Sequence, residues 1–269
     1  MNDGLNLRVI CDYLETFAPT WLAEPWDNVG LLVGDADQTV RRIMTTLTIT
    51  PSVVEEAVAA NVDLLVAHHP LPFHASKRLT TETTAGAMLL RLVRHGVAIY
   101  SPHTSFDSCR AGINQRLAEN LELGQIEPLV VKPAPEEIEH PVGVGRFGLL
   151  ADAVSLDELA TQAKSLFEVA QVQVIGRGDQ PIQKVGLACG SAGGFLEMAI
   201  AQGCDCFITG ETNFHTCLEA EARGIGMILL GHYASERFAL RQLAEELAAT
   251  FPQLAVTASQ ADRDPVRFV

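Results

Sequence analysis

The sequence predicts an α/β protein made of two similar α/β lobes that arise from an internal duplication, with largely parallel sheets flanked by helices. Three observations predict it. Helical and β-rich segments alternate along the chain. The β-rich runs are continuously apolar, which suits strands buried on both faces better than half-exposed antiparallel ones. A block of sequence also recurs 142 positions later.

In chain order, Leu5 to Phe17 has helical spacing, and Ile43 to Ile49, Leu64 to Ala67 and Val97 to Tyr100 are short β-rich runs. Leu156 to Phe167 is helical again, and Val185 to Ala188, Cys206 to Thr209 and Gly226 to Leu230 repeat the β-rich series. Sliding the chain by 142 positions lays Val33-Gly34-Asp35 on Ile175-Gly176-Arg177, Asp63 on Asp205 and Leu64-Leu65-Val66-Ala67 on Cys206-Phe207-Ile208-Thr209. The period is far too long for a solenoid and indicates two lobes. Lys132-Pro133-Ala134-Pro135-Glu136-Glu137 reads as a polar connector. The expected division is residues 1–130 and 131–269, with the C-terminal segment packing on the first lobe.

Composition narrows the partners. The 269 residues carry 33 acids against 19 Lys and Arg, a formal charge of −14. So acidic a chain repels a phosphate backbone, which makes nucleic acid an unlikely partner. The start, Met1-Asn2-Asp3-Gly4, lacks the basic-then-apolar pattern of a signal peptide. Six cysteines form no CxxC pair. Cys204 and Cys206 alternate along a strand, share a face and read as buried thiols. The expected setting is cytoplasmic, with thiols reduced and no membrane span.

Metal-ligand residue types gather where strands end, the place where parallel α/β sheets bind ligands. His68 and His69 follow Leu64 to Ala67, and His103 and Asp107 lie four apart after Val97 to Tyr100. His232 and Glu236 lie four apart after Gly226 to Leu230. Adjacent histidines point in different directions and suit two ions better than one. Nitrogen and oxygen donors without thiolate fit Zn, Fe, Mn or Ni.

These residues also carry a resemblance. Pro25-Trp26-Asp27-Asn28-Val29-Gly30-Leu31, His68-His69-Pro70 and Ser101-Pro102-His103-Thr104 with Asp107 form its first half. Cys189-Gly190-Ser191-Ala192-Gly193-Gly194, Thr209-Gly210-Glu211 with His215, and Gly231-His232-Tyr233 with Ser235-Glu236 form its second. Together they resemble the dinuclear-metal-centre family catalogued as GTP cyclohydrolase 1 type 2 homologues, also called NGG-interacting-factor-three-like. The resemblance implies interlinked lobes, a toroidal homohexamer and two divalent metal ions per chain. It implies His68, His69, Asp107, His232 and Glu236 as the ligands, with His103 close by as a supporting or acid–base group. The family name implies hydrolytic opening of the guanine imidazole ring of GTP.

The remaining motifs have plainer readings. The glycine-rich run from Cys189 reads as a tight strand–helix turn in preference to an anion-attracting helix N-terminus. Glu211 and His215 read either as a substrate or proton-relay pair or as a first-turn acid with an exposed histidine. Asp27 and Asn28 shape a turn, and Trp26 reads first as a packing residue, with stacking on a substrate as the lesser alternative. The expected function is metal-dependent hydrolysis of a nucleotide or similar polar small molecule, with His103, Glu211 and His215 as catalytic candidates. The alternative is a non-enzymatic metal-binding assembly with a regulatory, metal-handling or partner-binding role.

Overall fold

The computed structural model describes residues 4–136 and 138–269, so Met1 to Asp3 of the expected N-terminus and Glu137 of the expected connector lie outside it. Contacts divide the chain into two compact units. One groups the residues up to Phe106 with Ala239–Pro265, and the other groups Asp107–Phe238 with Val266–Val269.

The first unit runs β1 (Leu5–Asn6), α1 (Leu7–Phe17), β2 (Gly30–Val33), β3 (Thr39–Val40), β4 (Arg42–Thr46), α2 (Pro51–Ala59), β5 (Leu64–Ala67), α3 (Thr84–Arg94) and β6 (Ala98–Ser101). Helix α4 (His103–Ser108) then leads into the second unit. That unit continues with α5 (Ile113–Asn120), β7 (Gly124–Glu127), β8 (Val130–Val131), β9 (Gly143–Val144), β10 (Arg146–Ser155), α6 (Leu156–Leu166), β11 (Gln173–Ile175), β12 (Pro181–Ala188), α7 (Leu196–Ala201), β13 (Cys206–Thr209), α8 (Phe214–Arg223) and β14 (Gly226–Leu229). Helix α9 (His232–Thr250) returns the chain to the first unit, where β15 (Ala255–Ala258) ends the series.

Local chemistry explains the element ends. Thr50 caps α2 through the Val53 amide and Pro51 opens the helix, where its missing N–H costs nothing. Ser155 and Glu158 form a capping box on α6. Gly224 ends α8 in the left-handed conformation.

Each unit holds one mixed sheet with a parallel centre. In the first, the order is β15-β4-β5-β6-β2, with only β2 antiparallel. In the second, the order is β11-β14-β13-β12-β10-β7, with β12, β13 and β14 parallel and antiparallel strands outside them. The central strands are buried throughout. In the second unit their residues alternate between two apolar layers: Ile208 and Ile228 join one, Phe207 and Met227 the other.

The duplication is legible down to single hydrogen bonds. Ile43 pairs with Leu64 in one sheet, as Val185 pairs with Cys206 in the other. Asp63 Oδ2 accepts from the amides of Arg41 and Arg42 at 2.7 and 2.9 Å, and Asp205 Oδ2 accepts from those of Gln183 and Lys184 at 3.0 and 2.8 Å. The Gln38 amide donates to the carbonyls of Asp63 and Gly96, as Gln180 does to those of Asp205 and Gly224. Gly34 and Gly176 repeat for a physical reason. Both have positive φ, and a Cβ would lie 2.7 Å from the Ala98 side chain or 3.3 Å from the Gly226 backbone.

Two expectations differ from what is found. The units do not divide at 130/131, because α5 contributes Leu117, Ala118 and Leu121 to the same apolar layer as α6 and β12. Cys204 and Cys206 are both buried but enter opposite layers, since Cys204 lies in the turn ahead of the strand, where two-residue alternation does not apply.

Candidate metal centre

In the first unit, β5 delivers His68 and His69, and β6 delivers His103 at the start of α4. Ligand atoms of these three side chains lie within 4.8 Å of one another. The His68 and His69 rings are 5.0 Å apart and tilted 53°, and His103 stands 5.1 Å from the first and 5.7 Å from the second. The adjacent histidines therefore converge rather than diverge. Strand alternation ends at Ala67, and the chain bends at both histidines while their amides still donate to Thr46 and Leu47.

Two of the rings are fixed through Nδ1. Thr48 Oγ1 lies 2.6 Å from His69 Nδ1, and Asp27 Oδ1 lies 2.7 Å from His103 Nδ1. A ring held at Nδ1 presents Nε2, to an ion in the manner of histidine ligands whose other nitrogen is anchored, or to a proton in transit. The C-terminal segment braces the Thr48 turn: Asp262 Oδ2 accepts from Thr46 Oγ1 and the Leu47 amide. His68 is buried against the Phe106 ring, and Ser101 Oγ donates to its carbonyl at 2.7 Å.

Asp27 does more than shape a turn. Its carboxylate also accepts from the Thr104 amide and hydroxyl. Burial opposes its charge, but the hydrogen bonds from His103 and Thr104 and the His103 charge outweigh that and hold its pKa at about 2. This matters because His103 has φ +27°, a conformation that costs energy outside glycine and needs such clamping. Asp27 was readable as a turn residue only. No local signal connects it with a histidine 76 positions away.

In the second unit, β14 delivers His232 and the first turn of α9 delivers Glu236. His232 Nε2 lies 3.1 Å from Glu236 Oε2, and its Nδ1 lies 2.9 Å from Glu211 Oε1. The hydrogen bond and charge of Glu236, helped by Glu211, overcome burial and raise the His232 pKa to about 9. Asp107 accepts a hydrogen bond from the Cys189 thiol at 3.1 Å, and Asn114 links the two segments by donating to the Asp107 carbonyl and accepting from the Cys189 amide. His215 is exposed, with its ring 6.1 Å from Phe214, and no described interaction joins it to His232 or Glu211.

The glycine-rich run does serve as a strand–helix turn, and it also makes room for Glu236. Gly190 has φ +66°, and a Cβ there would overlap the Glu236 carboxylate. Its amide donates to Ser235 Oγ at 2.9 Å. A Cβ on Gly210 would come within 2.6 Å of Ser235 Oγ and 3.0 Å of the His232 Cα. The motif keeps strand ends bare so that the N-terminus of α9 can settle on them.

Each of these donor sets, three imidazoles in one unit and an imidazole–carboxylate pair in the other, is of a type that divalent cations take. No helix among the described residues is long and apolar enough to cross a membrane. The chain is 30% identical over 269 residues to a Clostridium acetobutylicum protein named "GTP cyclohydrolase 1 type 2 homolog", covering 98% of this chain and 99% of that one. It is 34% identical over 257 residues to "Protein NIF3 homolog" of Schizosaccharomyces pombe, covering 91% of each. Among solved structures, Staphylococcus aureus protein SA1388 superimposes with a TM-score of 0.89 at 25% identity, over 99% of this chain and 100% of that one. The family described as Duf34/NIF3 (NGG1p interacting factor 3) matches residues 5–265. With sequence, fold and near-complete coverage in agreement, this chain belongs to the Duf34/NIF3 family.

Proposed function

We propose that this protein is a metal-dependent hydrolase acting on a nucleotide or similar polar small molecule. The observation that carries the reading is the convergence of His68, His69 and His103, with two of the rings anchored at Nδ1. The names of curated relatives support the substrate class. His68, His69, Asp107, His232 and Glu236 would hold two divalent ions. When bound, such ions supply Lewis acidity and a nucleophile at neutral pH. His103, poised by Asp27, moves a proton at Nε2. Glu211 orients His232 through Nδ1 rather than acting on substrate. A homohexameric toroid belongs to the same reading, and sedimentation tests it.

The decisive experiment joins metal analysis to a substrate screen. Two ions per chain, and GTP hydrolysis abolished by chelation and by His68→Ala, support the hydrolase. Binding without turnover across nucleotides, phosphoesters and peptides replaces it with a non-enzymatic metal-binding assembly. A Glu236→Ala protein that keeps both ions removes Glu236 from the ligand set.

A further inference from the structure

Trp26 was expected to pack, yet it is 61% exposed. Its ring meets that of Phe73, itself 39% exposed, edge to face at 6.0 Å and 74°. Both rings also meet the His103 imidazole: Trp26 at 6.0 Å and 74°, Phe73 at 6.1 Å and 90°. Three rings at this spacing are already in contact, so no fourth ring fits between them. Of the three rings, Trp26 is the most exposed.

The arrangement is held in place. Asn28 Nδ2 donates to the Pro72 carbonyl at 2.7 Å, tying the loop that carries Phe73 to the turn that carries Trp26. Asp27, between Trp26 and Asn28, clamps His103. One three-residue turn thus sets an exposed indole, an anchored histidine and a second aromatic ring side by side. Isolated exposed aromatics are ordinary, but two adjoining ones at the edge of a histidine cluster mark a binding surface.

We propose that Trp26 and Phe73 form a stacking subsite for a planar heteroaromatic ring of the substrate, the class to which nucleobases belong, seated beside His103. This rests on reading the histidine cluster as part of the reaction centre. The chemistry favours a ring. An exposed indole face takes any flat heterocycle without reading its edge, so the subsite selects a class rather than one base.

The test uses the protein as purified, with guanosine as probe and ribose 5-phosphate as the ringless control. The chain has two tryptophans, so Trp21→Phe makes Trp26 the sole indole reporter. Guanosine should quench its emission saturably, and ribose 5-phosphate should not. By equilibrium dialysis, Trp26→Ala and Phe73→Ala should each weaken guanosine binding about 5- to 100-fold, while Trp26→Phe retains most of it. Absent or unsaturable quenching, equal quenching by ribose 5-phosphate, or unchanged binding by Trp26→Ala overturns the proposal. So does a Trp26→Ala protein that loses self-association but not guanosine binding, which would assign this face to a second copy of the chain. Metal analysis separates the two readings. Guanosine bound through Trp26 by protein that holds no metal ends the hydrolase reading and leaves the subsite; metal and turnover without ring binding do the reverse.

Discussion

Asp27 accepts a hydrogen bond from His103 Nδ1 at 2.7 Å, and the same carboxylate holds the Thr104 backbone amide. One acid therefore fixes both the ring and the strained backbone of a histidine at the centre of the site. Replacing it by Ala frees both. Asp27→Ala should weaken divalent-metal binding or turnover about 10- to 100-fold, as loss of an anchoring partner does. Calorimetric titration with Zn or Mn together with kinetics checks this, and parental values in both would remove Asp27 from the site.

The same carboxylate predicts an acid limb of stability. Its folded pKa is depressed to about 2, below the unfolded value near 3.8. The stabilisation is thus present above about pH 4 and lost as pH falls towards 2. In chemical denaturation between pH 5 and 2, Asp27→Asn should show a shallower decline than the parent. Parallel curves would contradict the assignment.

His232 predicts the opposite sign. Its folded pKa is raised to about 9, first by Glu236 and then by Glu211. In metal-free protein its contribution is complete below about pH 6.5 and disappears as pH rises to 9. Glu211→Gln should shrink that decline and should also ease metal binding at pH 7, where less proton competition remains. An unaltered pH profile would show that Glu211 does not act through His232.

Gly190 faces a stringent spatial demand. Gly190→Ala adds a Cβ where the Glu236 carboxylate lies, on a residue at φ +66°. Gly203, at φ +71° with nothing within 4 Å of a built Cβ, isolates the backbone cost alone. Gly203→Ala should cost about 1 kcal/mol and Gly190→Ala clearly more, on the order of 2–4 kcal/mol. Thermal unfolding of the two variants compares them, and equal losses would refute the packing role.

The duplicated carboxylates give a paired prediction. Asp63→Ala and Asp205→Ala each strand two backbone amides, and each should destabilise its own unit by about 1–3 kcal/mol. Hydrogen exchange localises the effects, which should fall around Arg41 and Arg42 in one case and Gln183 and Lys184 in the other.

Sequence by itself determined the duplication, the central strands and the residue types at their ends. Continuous apolar runs such as Leu64 to Ala67 report burial on both faces, and ligand-rich tripeptides follow them directly. It also determined that Gly190 lies in a tight turn. Tertiary structure alone decided what these residues do to one another. Asp27 reaches His103 and Thr48 meets His69 in one unit, and Asp107 meets the Cys189 thiol in the other, because within each unit the packing of the sheet brings distant loops together. Trp26 is left exposed, and the unit boundary shifts to Phe106, for the same reason. Periodicity records which face of an element is buried, whereas partners far apart in sequence are chosen by how the elements pack.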